Sequence, residues 1–377
     1  MKDLLPVLNY RQAAEAVAAC LRAKRTALLL GAPGVGKSSL VKDAAAALGL
    51  PCYILIASNM DPTDVAGLPY RGPDGHVHRE LFPEIRACVE APGVLCLDEV
   101  TTMPKSVEGP LLRVALERNA GGQPLHPDSP VIMCANPPEQ APGGLELSAA
   151  MINRVVVLRY APSIATAGSD IGEISAYFSG DPVRAQASVL SPEEMAAPLR
   201  AEMSDFAVTL QADPTLVQLD PPRASIDGGE PWASPRAWEI GLACFAARGG
   251  QEDVVGEALL SGAVGPHAAL AYLTIRKLRA HLATVEEILA DPSHAKIPTE
   301  DSYQIAALGV ISRVAEVDLW AAYVYTRRLP RIEYAAACVR FLVKRAPKKG
   351  GKWQVAGTKA MVTLLAQINS AVPEDIR

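Results

Sequence analysis

Continuous apolar runs, rather than alternating ones, punctuate the first 160 residues. TALLL (26–30), GVLCLDE (93–99) and PVIMCAN (130–136) each climb from charge, glycine or proline into unbroken apolar residues. Runs of this kind predict short parallel strands buried on both faces. SSLVKDAAAALG, just after the first run, is made of helix formers and closes on glycine, so a helix is expected there. LSAAMINRVVVLRY reads as a helix running into a strand, with Arg154 at the junction. Turn chemistry marks two hairpins, one around PDG within 70–83 and one in NAGGQPLHPDS (119–129).

The pattern changes further along. WASPRAWEIGLACFAAR predicts a capped helix with Ser234 at the N-cap, Pro235 in first position and Arg236 next. EDVVGEALLSGAVGPHAALAYLTIRKLRAHL has helix-period apolar positions broken at GAVGP, giving two helices. After an acidic linker, Ser302 to Arg345 continues helical, with Trp320 and Tyr323 assigned to its core. The long stretch from Arg159 to Glu230, rich in proline and glycine, yields no assignment.

Composition narrows the class without naming a function. A chain of 377 residues suggests about two or three domains. It is 49% hydrophobic and 20% charged, as soluble globular proteins are. No uncharged apolar run approaches the ~20 residues of a membrane span, so no membrane partner is expected. The opening MKDLLPVLNYRQ lacks a sustained apolar segment, so secretion is not expected. Seven cysteines without a CxxC pair read as reduced thiols of a cytoplasmic protein. The net charge of −5 hides an asymmetry: Arg331 to Arg377 holds nine Lys/Arg against three Asp/Glu, +6, leaving −11 for the rest. The body is therefore not a general nucleic-acid binder, whereas the tail suits an acidic partner.

GAPGVGKSS (31–39) lies between a predicted strand and a predicted helix, the context in which a glycine loop cradles phosphates. Gly31, Gly34 and Gly36 let backbone N–H groups turn inward, and the helix start adds its positive dipole end. The predicted loop comprises Gly31, Ala32, Pro33, Gly34, Val35, Gly36, Lys37, Ser38 and Ser39. Lys37 would reach the β- and γ-phosphates of ATP, and Ser38 would bind Mg²⁺. Asp98, at the end of a second strand, can hold the Mg²⁺ shell while Glu99 polarises the attacking water. Asn136 either orients that water or serves turn chemistry. Arg154 could be a surface ion-pair partner only. Arg236 opposes the dipole of its helix, which suggests a phosphate contact, the alternative being a solvated arginine.

GAPGVGKS, LCLDE, MCANP, AAMINRV and WASPRAW, in this order, resemble a MoxR-type AAA+ ATPase over roughly the first two thirds of the chain. DPTDVAGLP (61–69) and TTMPKSVEGPLLRVALERN (101–119) belong to the same resemblance. It implies an α/β fold: an AAA+ P-loop NTPase parallel sheet flanked by helices, then an all-α lid and a helical C-terminal extension. The corresponding divisions are 1–162, 163–290, and 291–377 with its basic tail. It further implies that Asn136 is the sensor asparagine. Arg154 becomes an arginine finger reaching a neighbour's ATP, and Arg236 the second sensor within its own subunit. A finger acting in trans requires a homo-oligomer, commonly a hexameric ring in this family. The client would be a protein remodelled by the ring, often one with a von Willebrand factor A domain. A DNA-associated motor or loader and a nucleotide-gated scaffold stand as alternatives.

Three stretches outside these motifs have two readings each. Tyr70, Arg71 and His76 are client contacts by resemblance, or an ordinary surface hairpin. His76 and His78 could share a strand face, but no third metal ligand accompanies them. Lys348, Lys349, Lys352 and Trp353 could grip a nucleic-acid backbone, or form a solvated linker.

Overall fold

A computed structural model describes residues 5–137, 140, 148–162, 189–223, 225, 229–345, 348–349 and 352–353. The chain divides after Leu273 into two compact units.

In the first unit, β1 (Val7–Leu8) leads into α1 (Tyr10–Arg22), whose start is fixed by a reciprocal capping box between Asn9 and Gln12. The predicted buried strand is β2 (Ala27–Leu30), followed by α2 (Lys37–Ala47) and β3 (Cys52–Ile56). A short α3 (Pro62–Ala66) precedes the hairpin β4 (Leu68–Arg71) and β5 (Val77–Glu80). Then come α4 (Pro83–Glu90), β6 (Val94–Asp98) and α5 (Lys105–Glu117). A tight hairpin, β7 (Asn119–Ala120) with β8 (Gln123–Pro124), leads to β9 (Val131–Ala135). After it, α6 (Ala149–Ile152) turns into β10 (Val156–Tyr160), leaving Arg154 in the connecting turn as expected.

The six main strands form one parallel sheet in the order β1–β10–β2–β9–β6–β3. From β2 the chain runs out to β3, returns through β6 and β9, and crosses to β10 on the other side. The switch point therefore lies at β2, and in parallel sheets ligands bind outside the carboxyl ends of the strands at such a point. Leu28, Leu29, Leu95, Leu97, Ile132 and Met133 are essentially removed from solvent. Burying each side chain contributes about 1.5–3 kcal/mol, which explains why continuous apolar runs became central strands.

Beyond β10, α7 (Pro192–Ala212) accounts for part of the stretch left unassigned by sequence; residues 163–188 lie outside the described ones. It is followed by α8 (Pro235–Ala246), α9 (Val254–Val264) and α10 (Pro266–His281). Trp238 anchors this group, its ring 4.4 Å from Phe206 and 5.5 Å from Tyr272, with Nε1 donating to the Leu216 carbonyl at 2.7 Å. Backbone contact holds α9 on the sheet: a Cβ at Gly262 would lie 2.2 Å from the Val157 carbonyl oxygen, so only glycine fits. Arg248 is 2% exposed and grips Glu15 of α1 and Asp253, the N-cap of α9. Burial works against its charge, but hydrogen bonds to Asp253 and Glu15 prevail and raise its pKa.

The second unit is helical: α11 (Val285–Ala290), α12 (Asp301–Val317), α13 (Leu319–Thr326) and α14 (Ile332–Arg345). Its core contains Ile311, Val314, Tyr323, Tyr325, Val339 and Leu342. Tyr323 is buried as expected, but Trp320 is 40% exposed. Asp318 caps α13 by accepting from the Trp320 and Ala321 N–H groups, which sets Trp320 at the outward corner between two helices. Within the basic segment, β11 (Lys348–Lys349) pairs antiparallel with β12 (Lys352–Trp353).

Candidate nucleotide site

At the carboxyl edge of the sheet, neighbouring strands end side by side. Leu30 of β2 is paired with Ala135 of β9, and the Gly31 N–H donates to the Ala135 carbonyl at 3.2 Å. The loop from Gly31 to Gly36 thus springs from the middle of the sheet. Gly34 and Gly36 have φ of +77° and +80°, a left-handed conformation that only glycine adopts without strain. Gly36 is the N-cap of α2 and supplies no side-chain cap, so the first-turn N–H groups are left for an external acceptor.

Lys37, the first residue of α2, folds back under the loop and is 7% exposed. Its three ammonium hydrogens have three acceptors: the carbonyls of Gly31 (2.8 Å) and Ala32 (2.9 Å), and Asn136 Oδ1 (2.8 Å). Burial lowers the Lys37 pKa, while Cys134, Asp98 and Glu99 push it back up. An ammonium in that setting gains from any anion brought close.

The next side chain, Ser38, donates its hydroxyl to Asp98 Oδ2. Asp98 closes β6, and its other oxygen accepts the Glu99 N–H at 2.8 Å. Glu99 itself is exposed, with φ +57°, an uncommon left-handed conformation for a residue with a side chain. Its carbonyl accepts from the Thr102 hydroxyl (3.0 Å) and N–H (3.1 Å), and its carboxylate accepts from Ser58. Backbone strain that neighbours over-determine in this way is concentrated at functional sites.

The structure therefore brings Lys37, Ser38, Asp98, Glu99 and Asn136 together. The donor set fits a magnesium nucleotide. Uncapped N–H groups and a buried amine suit phosphate, and the adjoining Ser38 and Asp98 oxygens are the hard donors Mg²⁺ takes.

Arg154 and Arg236 differ from these. Both are exposed, and neither side chain has a hydrogen-bond or ion-pair partner among the described residues. They are nevertheless linked through their neighbours. Asn153 donates to the Trp232 carbonyl at 3.2 Å and accepts from the Ser234 hydroxyl at 2.7 Å. Ser234 in turn caps α8 by accepting the Ala237 N–H, the capping predicted from WASPRAW.

On the β4–β5 hairpin, Tyr70 stands beside His78 with ring centroids 5.7 Å apart, and Leu68, Tyr70 and Val77 are exposed. His76 precedes β5, while His78 lies on it and pairs with Asp74 at 2.8 Å. Among the described residues, no group of three His, Cys, Asp or Glu is placed to hold a metal.

Sequence reading missed Ser58, which lies in the short turn after β3 and reaches Glu99 only through the fold. It also missed Asn153 and Tyr160. No local pattern marks Ser58; Asn153 adjoins Arg154 and could have been suspected for that reason.

Residues 26–155 match the family model of an AAA domain, dynein-related subfamily. This segment is an AAA domain, a nucleotide-binding ATPase module, and the parallel sheet with its flanking helices has the AAA+ P-loop NTPase fold. A search of curated proteins finds no match. Among solved structures, the chain is similar to that of a "putative ATPase" from Cytophaga hutchinsonii. The two share 16% identity over 68% of this chain and 82% of that one, with a TM-score of 0.42. No described helix is long and apolar enough to cross a membrane.

Proposed function

We propose that this chain is a MoxR-type AAA+ ATPase that hydrolyses ATP with Mg²⁺ in a homo-oligomeric ring, hexameric by resemblance. In this reading the ring uses turnover to remodel or activate a partner protein in the cytoplasm. The observation that carries the reading is the convergence of Lys37, the Ser38–Asp98 pair, Glu99 and Asn136 on one sheet edge.

Loop N–H groups and Lys37 hold the phosphates, Lys37 exchanging its carbonyl acceptors for phosphate oxygens. Ser38 and Asp98 would hold Mg²⁺, which would supply charge neutralisation to the phosphates. Glu99, with one oxygen already held by Ser58, orients the attacking water and takes its proton. Asn136, which accepts directly from Lys37 at 2.8 Å, lies on the γ-phosphate side. Arg236 contacts the nucleotide of its own chain, and Arg154 that of the next protomer. We place the α/β part at 1–162, the lid at 163–290 and the extension at 291–377. The exposed hairpin, with the adjoining cleft of about 490 Å³ bordered by Arg79 and Arg113, is our candidate client surface. A von Willebrand factor A domain protein is the client class that the family resemblance suggests.

Lys37→Ala tests the phosphate site on which this reading rests. Removing a charged hydrogen-bond donor should weaken ATP binding about a hundredfold; tight binding by the variant would overturn the phosphate-loop assignment. Wild-type binding without turnover would favour a scaffold, and salt-dependent stimulation by DNA would favour a nucleic-acid motor.

A further inference from the structure

The phosphate loop is held from below by a side chain that lies beyond the segment matched to the AAA domain. Tyr160, the last residue of β10, is 2% exposed and sits next to the pair Leu30–Arg159 in the parallel ladder. Two contacts bind it to the loop. At the loop's first residue, a Cβ on Gly31 would be 2.8 Å from the Tyr160 carbonyl oxygen and 3.4 Å from its ring. At the fifth, the Tyr160 hydroxyl donates to the Val35 carbonyl at 3.0 Å.

We propose that Tyr160 is a positioning residue for the nucleotide site: its hydroxyl fixes the Val35–Gly36 peptide so that the Gly36 N–H faces the phosphates. The proposal rests on the nucleotide reading above. Its physical basis is the planarity of a trans peptide, in which C=O and N–H point in opposite directions. Holding the Val35 oxygen against the buried Tyr160 hydroxyl turns the following N–H toward the concave side of the loop. Without that anchor, the peptide turns on ψ of Val35 and φ of Gly36, and Gly36 populates either sign of φ, so it is free to rotate. Rotation would present a carbonyl oxygen where an anion needs a donor. Gly31 completes the device, because its missing side chain lets β10 approach the loop closely enough for the hydroxyl to reach.

The anchor touches neither the γ-phosphate nor the attacking water, so it contributes equally to substrate and transition state. Loss of such uniform binding raises KM and spares kcat. Tyr160→Phe keeps the ring and removes the hydroxyl that donates to Val35. ADP affinity is expected to fall about tenfold, the KM for ATP to rise by a similar factor, and kcat at saturation to stay within about twofold. AMP, which lacks the β-phosphate, should lose less affinity in the variant than ADP does, so the ADP-to-AMP affinity ratio falls. A purely structural defect would weaken both nucleotides together and lower kcat.

An unchanged ADP-to-AMP ratio in a variant that melts like the wild type would overturn the proposal, as would a fall in kcat with KM preserved. If Tyr160→Phe does not fold, amide exchange in the unaltered protein decides. The Gly36 N–H should become protected on adding ADP, and unchanged exchange there, with ADP bound, would overturn the role. A wild-type protein that binds no ADP at all would instead remove the nucleotide reading, a separate failure.

Discussion

The two halves of the proposed site are built differently. On the phosphate-loop side, Lys37, Ser38, Asp98 and Glu99 have protein partners: Lys37 has three acceptors, Ser38 meets Asp98, and Glu99 meets Ser58. Arg154 and Arg236 are exposed and meet no protein partner among the described residues. One half is thus pre-organised within the chain, and the other consists of two exposed cations, one in the turn before β10 and one at the start of α8. A guanidinium cannot lose its charge in water, so its natural counterpart is an anion brought by something else. The contrast suggests a site whose cradle is complete in each protomer and whose charge stabilisation is completed on assembly.

Breaking the unpartnered half should have the largest effect. An arginine supplied to a neighbour's phosphoryl group is worth about 10³ to 10⁵ in rate, so Arg154→Ala should cut turnover by at least about a thousandfold while leaving ATP binding intact. Mixing Arg154→Ala with Lys37→Ala subunits should restore turnover, because some sites then combine an intact loop with an intact arginine. Failure to recover at any ratio would place Arg154 outside the neighbour's site. Arg236→Ala, acting within its own chain, should not be rescued by a partner in this way. A smaller effect is expected on the pre-organised side. Glu99→Gln removes the proton acceptor but keeps the shape, so turnover should fall about 10² to 10⁴-fold with ATP still bound. Turnover at the wild-type rate would exclude Glu99 as the water-activating group.

Most of the pre-organised half was legible in the sequence, for a physical reason. A phosphate loop needs glycines, an amine and a hydroxyl at fixed spacing between a strand and a helix, so its chemistry is written locally. The same holds for Asp98 and Glu99, which follow an apolar run, and for Ser234, whose capping role is set by Pro235 beside it. Ser58, Asn153 and Tyr160 were not legible, because each acts across a long separation: Ser58 on Glu99, Asn153 on Ser234, Tyr160 on Val35. Such contacts depend on which strands become neighbours, and the crossover from β2 to β3 and back is not encoded in any short window. Trp320 was misplaced for a related reason. Its spacing suited a helix core, but the Asp318 cap starts a new helix and turns the ring outward.

Specific ATPase rate measured across a dilution series, with particle size followed by light scattering in Mg²⁺, tests the shared-site idea most directly. If the neighbour's arginine completes each site, the rate per protomer should collapse over the same concentrations at which the assembly dissociates. A strictly monomeric sample that hydrolyses ATP at the undiminished rate would contradict it.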